Sequence, residues 1–394
     1  MQASIRRSFR TLPIAAALLV ASLPAAAMPQ DEARIWRAAI ADAQEKVIRV
    51  WDLGEREEVG VFKTGAAARL HPAAGSMEFT VIESATGDVR TLHLGLKEED
   101  HGDHNHWVTA KPKLSATLVN GPRPSHANVG AGRVAVFFDG DGTLRSNAPA
   151  VLHATARAHH GIGIPLPGER LLVSRPAAEG SLPDGMQVVA SNGSVQLASP
   201  VCEAQHGDGQ HHPMYLFGCK NGLLLYDDQH NTFELIPYRH ETGKGMVRTL
   251  ISTPKNPRWV GNFGKEALLL IDVAQRSQTL VPLPAALLDF QWDPDSPSVA
   301  YALVRSGELL AIDTKTGKVL ERKAVLPAWS PPETTGNSPP SPRLAVASDR
   351  IALVDPRSGL LHFLRGKDLK TLDEIKLGGQ PGGIVMRSVN LDPD

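Results

Sequence analysis

Beyond its N-terminal segment the chain alternates short apolar runs with short polar reversals. The recurring unit is an apolar strand, an acidic or polar turn, then a second strand. It is read in "VIRVWDLGEREEVGVF", "MEFTVIESATGDVRTLHL", "RVAVFFDGDGTLRS", "GMQVVASNGSVQLA", "NGLLLYDDQHNTFELI", "ALLLIDVAQRSQTLVPL", "ELLAIDTKTGKVLERK" and "RIALVDPRSGLLHFL". Apolar runs bounded by Gly, Pro, Asn and Asp mark strands joined by hairpins. Eight copies can be counted, and the later ones start roughly 40 to 45 residues apart, the period of a four-stranded propeller blade. Between them lie Pro- and Gly-marked turns such as "STPKNPRWVGNFG" and "DFQWDPDSPS", and hardly any segment shows sustained helical periodicity. The pattern predicts an all-β chain: an eight-bladed β-propeller, one domain over residues 28–394, with a flexible His-rich insertion at residues 95–120.

The first residues read as an address rather than as part of that fold. A basic start, "SIRRSFR", leads into the apolar "LPIAAALLVA" and then "SLPAAAM", where Ala25 and Ala27 fit a signal-peptidase site. Residues 1–27 are therefore expected to be a cleaved signal peptide, and export to the periplasm follows. The apolar stretch is short for a membrane span, so no stable membrane anchor is expected. Arg6 and Arg7, followed by Ser8 and Phe9, weakly resemble a twin-arginine signal, and ordinary secretion fits as well. With 41 basic and 42 acidic residues the chain is near neutral, which gives no footprint for nucleic acid or an anionic surface. In an oxidising compartment the two cysteines, Cys202 and Cys219, are expected to form a disulfide. Closing that loop stabilises by roughly 3 kcal/mol in the chain-entropy model.

One stretch invites an enzymatic interpretation. "VAVFFDGDGTL", residues 134–144, reads like the nucleophile strand of a haloacid-dehalogenase-type phosphatase, with Asp139 and Asp141 as its carboxylates. A secreted hydrolase is thus the rival function, either phosphatase-like or a propeller enzyme using a channel metal. The phosphatase needs its strand in a parallel sheet with crossover helices, and no βαβ alternation surrounds it. No Gly-x-Ser-x-Gly elbow occurs either. Asp139 instead matches Asp52, Asp272, Asp313 and Asp355 in the repeat, where a carboxylate accepts hydrogen bonds from its own turn. Asp227 and Asp228 read as another hairpin. The chain is expected not to be an enzyme.

The histidines carry more chemistry. "EEDHGDHNHW" places His101, Asp103, His104 and His106 in the polar insertion, and neutral imidazoles with a carboxylate suit a borderline cation such as Zn2+. An extended strand would point His104 and His106 one way and His101 the other, so a shared ion needs a mobile loop, suited to capture and release. The plainer alternative is a solvated His-rich linker. A second group comprises His126 in "RPSHANVG", His159 and His160 in "AHHGIGIP", and His206 in "CEAQHGDGQHH". Each precedes a candidate innermost strand, and innermost strands begin around a propeller's central channel. His126, His160 and His206 are the preferred metal ligands, His159 is the alternate, and Asp208 is an acidic ligand or an orienter of an imidazole. Singly, each would more often be a hydrogen-bonded core residue. His71, His93, His153, His230, His240 and His362 are assigned ordinary surface or core roles.

These residues resemble a known family, the AztD-type periplasmic zinc metallochaperones. The similarity runs through "ARIWRAAIADAQEKVIRVWDL", "HGDHNH", "RPSH" ahead of "GRVAVFFDGDG", "HHGIGIPL" before "RLLVS", and the "HGD" and "FGCKNGLLL" around the two cysteines. Asp208 departs from the pattern, where the family has Glu, as does the His211–His212 pair nearby. The resemblance implies an eight-bladed propeller that binds zinc in the periplasm. It also implies a partner, the periplasmic solute-binding protein of a zinc ABC transporter, with the His-rich loop helping transfer.

Overall fold

The computed structural model describes residues 34–72, 77–102, 105–147, 151–239, 245–253, 255–331 and 340–391. The expected signal peptide, residues 1–27, lies outside the described residues, as do Asp103, His104 and His240. Apart from one 3-10 turn at Pro167–Glu169, the regular structure described is strand throughout. No helix among the described residues is long and apolar enough to cross a membrane.

Eight antiparallel sheets form the blades of a β-propeller. Seven have four strands, and the second blade splits its outermost strand into Lys113–Leu114 and Val119–Asn120. The first blade joins the two ends of the chain. Its innermost strand, Pro381–Asn390, pairs with Arg34–Asp42 from Arg34↔Asn390 to Asp42↔Pro381. That pairing closes the ring and removes the free edges that an open array would leave.

Burial explains why these segments hold as strands. Ala267–Asp272, flanked on both sides within its blade, is buried at every position. Val319–Ala324, an outer edge, is exposed at every position and carries Glu, Arg and Lys, which oppose edge-to-edge association. The apolar clusters lie between neighbouring blades: Val260, Leu268 and Leu270 of the sixth pack with Phe290, Ala302 and Ile312 of the seventh. Each large side chain buried in this way contributes roughly 1.5–3 kcal/mol.

The eight repeats seen in the sequence are real, but they occupy two different places in the blades. In the second, third and eighth blades the repeated hairpin is formed by strands two and three, and in the others by strands three and four. Polar turns close reversals on both sides of the disc, so the pattern alone does not separate them. The distinction defines two faces. Innermost strands begin, and second strands end, on what we term the upper face; innermost and third strands end on the lower face. Asp139 and Asp355 follow or end second strands, whereas Asp52, Asp272 and Asp313 end third strands.

The insertion contains a short hairpin. Leu96–Asp100 and Asn105–Thr109 form a two-stranded hairpin with Glu99 opposite His106. It leaves the second blade after Asp88–His93, a third strand, and therefore from the lower face. The buried Arg37 guanidinium fixes its root by donating to the carbonyls of Leu94 (3.0 Å), Gly95 (2.8 Å) and Ala110 (2.8 Å).

Candidate metal centre

Three of the expected histidines converge on the upper face from three consecutive blades. His126 lies near the start of Pro124–Gly130, His160 just ahead of Gly163–Pro165, and His206 begins His206–His211. Each of these strands is the innermost of its blade. His126 and His206 both sit where the pairing register slips, and such bulges re-aim side chains that regular alternation would send elsewhere. The ligand nitrogens of the three imidazoles all lie within 4.8 Å of one another. His126 Nε2 and His160 Nε2 are 3.0 Å apart. Two nitrogens bound tetrahedrally to one zinc ion stand about 3.3 Å apart, so small movements suffice to admit the ion.

The other ring nitrogens explain the orientation. His160 Nδ1 is 2.6 Å from Asp139 Oδ2, and His206 Nδ1 is 2.7 Å from the Arg248 carbonyl oxygen. A proton held at each Nδ1 leaves the Nε2 lone pair for a metal, the usual arrangement of a histidine ligand. Gly207 makes the second contact feasible: its φ is +76°, and a Cβ there would lie 2.5 Å from the Arg248 oxygen. Gly161 does the same for the first, since a Cβ would meet the Phe137 ring at 2.4 Å.

Electrostatics keep the site ready for a cation. Desolvation, reinforced by the charges His160, His71 and His206 would carry, holds His126 down at about 3. Desolvation likewise lowers His206. Neutral imidazoles present lone pairs without proton competition. For Asp139, burial alone would raise the carboxyl, but hydrogen bonds from His160 and from Ser125 (Oγ to Oδ1, 2.5 Å) outweigh it and hold it below its usual value. A negative charge one residue removed from the ligands offsets part of an ion's double charge.

Two expected residues stand apart from this group. His159 is buried, with Nε2 2.8 Å from Ser174 Oγ, Nδ1 3.1 Å from the Arg157 carbonyl oxygen, and its ring edge-on to Phe137. Both nitrogens are engaged by the protein, because adjacent residues 159 and 160 point to opposite sides. Asp208 lies outside the three-histidine group and lines a cavity of about 510 Å³ further down the channel. Desolvation raises its carboxyl to about 6, with a hydrogen bond from Gln210 opposing. Gln210 Nε2 also donates to Asn128 Oδ1 at 2.8 Å, a bridge between the fifth and third blades.

The orienting carboxylate is Asp139, which the sequence pattern assigns to a turn. Asp52, Asp272, Asp313 and Asp355 do accept from backbone N–H groups of their own turns. Asp139 accepts from Ser125, His160 and Gly161 instead. Asp141 accepts from the Thr143 N–H and hydroxyl and pairs with Arg145. Two carboxylates so committed, on an antiparallel sheet, do not form the phosphatase arrangement. A signal for Asp139 existed in its place at the end of a second strand, but only the blade assignment reveals it.

The hairpin carries a second group. Ligand atoms of Glu99, His101 and His106 lie within 4.8 Å of one another, and the two imidazoles stack with ring centroids 4.3 Å apart. Glu99 was not anticipated; its cross-strand pairing with His106 brings it in. Cys202 and Cys219 form a buried disulfide with Cα atoms 5.1 Å apart. It ties the segment leading into His206 to the end of the neighbouring strand Met214–Cys219. An open depression of about 430 Å³ on the upper face is lined by Arg123, Asp139, His160 and Ser181 among others.

Comparison with known proteins gives a consistent picture. No protein-family model matches the chain. The zinc chaperone AztD of Citrobacter koseri is 28% identical over 374 residues, spanning 91% of this chain and 88% of that protein. A crystal structure of Citrobacter koseri AztD superposes with a TM-score of 0.83 at 26% identity, covering 92% of this chain and 100% of the other. Apo AztD from the same organism gives 0.82 at 26% identity, covering 90% and 98%. The dihydro-heme d1 dehydrogenase NirN gives 0.59 at 13% identity, covering 90% and 75%, a likeness of fold alone. The resemblance to the AztD-type zinc chaperones thus holds in sequence and in fold, and those relatives are named for a chaperone rather than an enzyme.

Proposed function

We propose that the chain is a zinc metallochaperone that carries Zn2+ in the periplasm and delivers it to the solute-binding protein of a zinc ABC importer. The observation that carries this reading is the convergence of His126, His160 and His206, with ligand nitrogens within 4.8 Å. Similarity to zinc chaperone AztD supports the cargo and the role. An expected export signal and a buried disulfide suit an oxidising compartment.

The ligand set fits a carrier. Three neutral imidazoles bind zinc firmly but leave one tetrahedral position open, and no thiolate locks the ion in place. Asp139 steadies His160 and adds negative charge nearby. His160 borders the depression on the upper face, so a partner's ligand approaching there meets this imidazole first and can take its place on the ion. Exchange then proceeds one ligand at a time, and the ion never sheds its whole shell.

Direct hand-over has a kinetic signature. Zinc-loaded protein is mixed with the purified binding protein in the presence of excess chelator, and transfer is followed by stopped flow. The expected result is transfer whose rate rises with partner concentration and exceeds spontaneous release. Transfer no faster than zinc loss to the chelator would contradict the proposal.

A further inference from the structure

We propose that His71 supplies a fourth imidazole to the ion held by His126, His160 and His206. The inference rests on the zinc reading of that site and adds a ligand from the next blade. His71 lies in Arg69–Pro72, the innermost strand of the second blade. That strand is tied to the one bearing His126 by Arg69 Nη2, which donates to the Pro124 carbonyl at 3.1 Å; Ser84 Oγ, just past the second strand of the same blade, donates to the same oxygen at 2.7 Å.

Strand geometry then sets the direction of the imidazole. Residues 69 and 71 share one side of the strand, while residue 70 takes the other. Leu70 packs into the apolar cluster of Phe79, Val81 and Val385, toward the first blade. The Arg69 side, and with it His71, faces the third blade and His126. His71 Nε2 is buried and has no hydrogen-bond partner among the described residues. Buried polar atoms are rarely left so unless a ligand or water completes them.

The nitrogen is also in a form that binds a metal. Desolvation, with help from the Arg69 charge, lowers His71 to about 4, so its ring is neutral at ordinary pH. His71 lies near enough for its charge to depress His126. It stands outside the group of three as arranged here, so ligation requires a side-chain rotation toward the open tetrahedral position. Four imidazoles from four consecutive blades then enclose the ion.

Cobalt(II) serves as the probe, because its visible d–d bands report the donor set. Full-length protein is compared with His71→Ala, His71→Cys and His206→Ala by cobalt absorption and competitive zinc titration. The expected result is that His71→Ala weakens binding roughly 10- to 100-fold and shifts the bands, as an oxygen replaces a nitrogen. His71→Cys should add a thiolate-to-cobalt charge-transfer band, which arises only if the side chain at position 71 touches the metal. Wild-type affinity and bands in His71→Ala, beside lost binding in His206→Ala, would overturn the role of His71 and leave the three-histidine site standing. Wild-type binding in His206→Ala would overturn the site itself, and this inference with it.

Discussion

At the scale of single residues, the account turns on what holds an imidazole in place. His126, His160 and His206 were legible in the sequence because each stands at or beside the start of an innermost strand, where neighbouring blades converge. His159 shared that signal and differs only in pointing the other way, toward Ser174 and Phe137. One residue of offset decides between a ligand and a core contact, and sequence spacing does not resolve it at an irregular strand start. Asp139 was legible as a carboxylate at a strand end but not as the partner of His160, since that contact crosses from the third blade to the fourth. Asp139→Asn tests its role. The amide oxygen still accepts from Nδ1, so the fold should persist, while loss of the negative charge should weaken zinc binding roughly 10- to 100-fold. Competitive titration checks this, and unchanged affinity would reduce Asp139 to a structural hydrogen-bond acceptor.

At the scale of elements, the blades were legible and their phase was not. Strand period and turn chemistry identified eight hairpins, but the choice between strands two and three or three and four depends on long-range pairing, above all Arg34–Asp42 with Pro381–Asn390. That phase places the insertion. The His-rich insertion carries a hairpin rooted on the lower face by Arg37, while the three histidines open on the upper face. The two groups of candidate ligands are therefore spatially separate in the molecule. Removing residues 101–106 should leave the channel site at full affinity and abolish only a second, weaker ion, because the hairpin leaves from the lower face and the channel histidines lie at the upper face. Calorimetric titration with zinc gives both numbers. A loss of affinity at the tighter site would show that the hairpin contributes ligands to it after all.

At the scale of the whole molecule, the propeller works as a frame. Apolar burial between neighbouring blades supplies the stability, so side chains at the channel rim are free to serve a ligand at little cost to the fold. The disulfide and the bulge at Gly207 then fix the single segment that bears His206. The central claim is that histidines brought together by the packing of three consecutive blades form the zinc site. Competitive zinc titration of the wild type and His206→Ala, alongside circular dichroism of the metal-free proteins, tests it most directly. The account predicts superimposable spectra and loss of the tight site in the variant, since a histidine ligand is gone. Equal zinc affinity in the two proteins would contradict it.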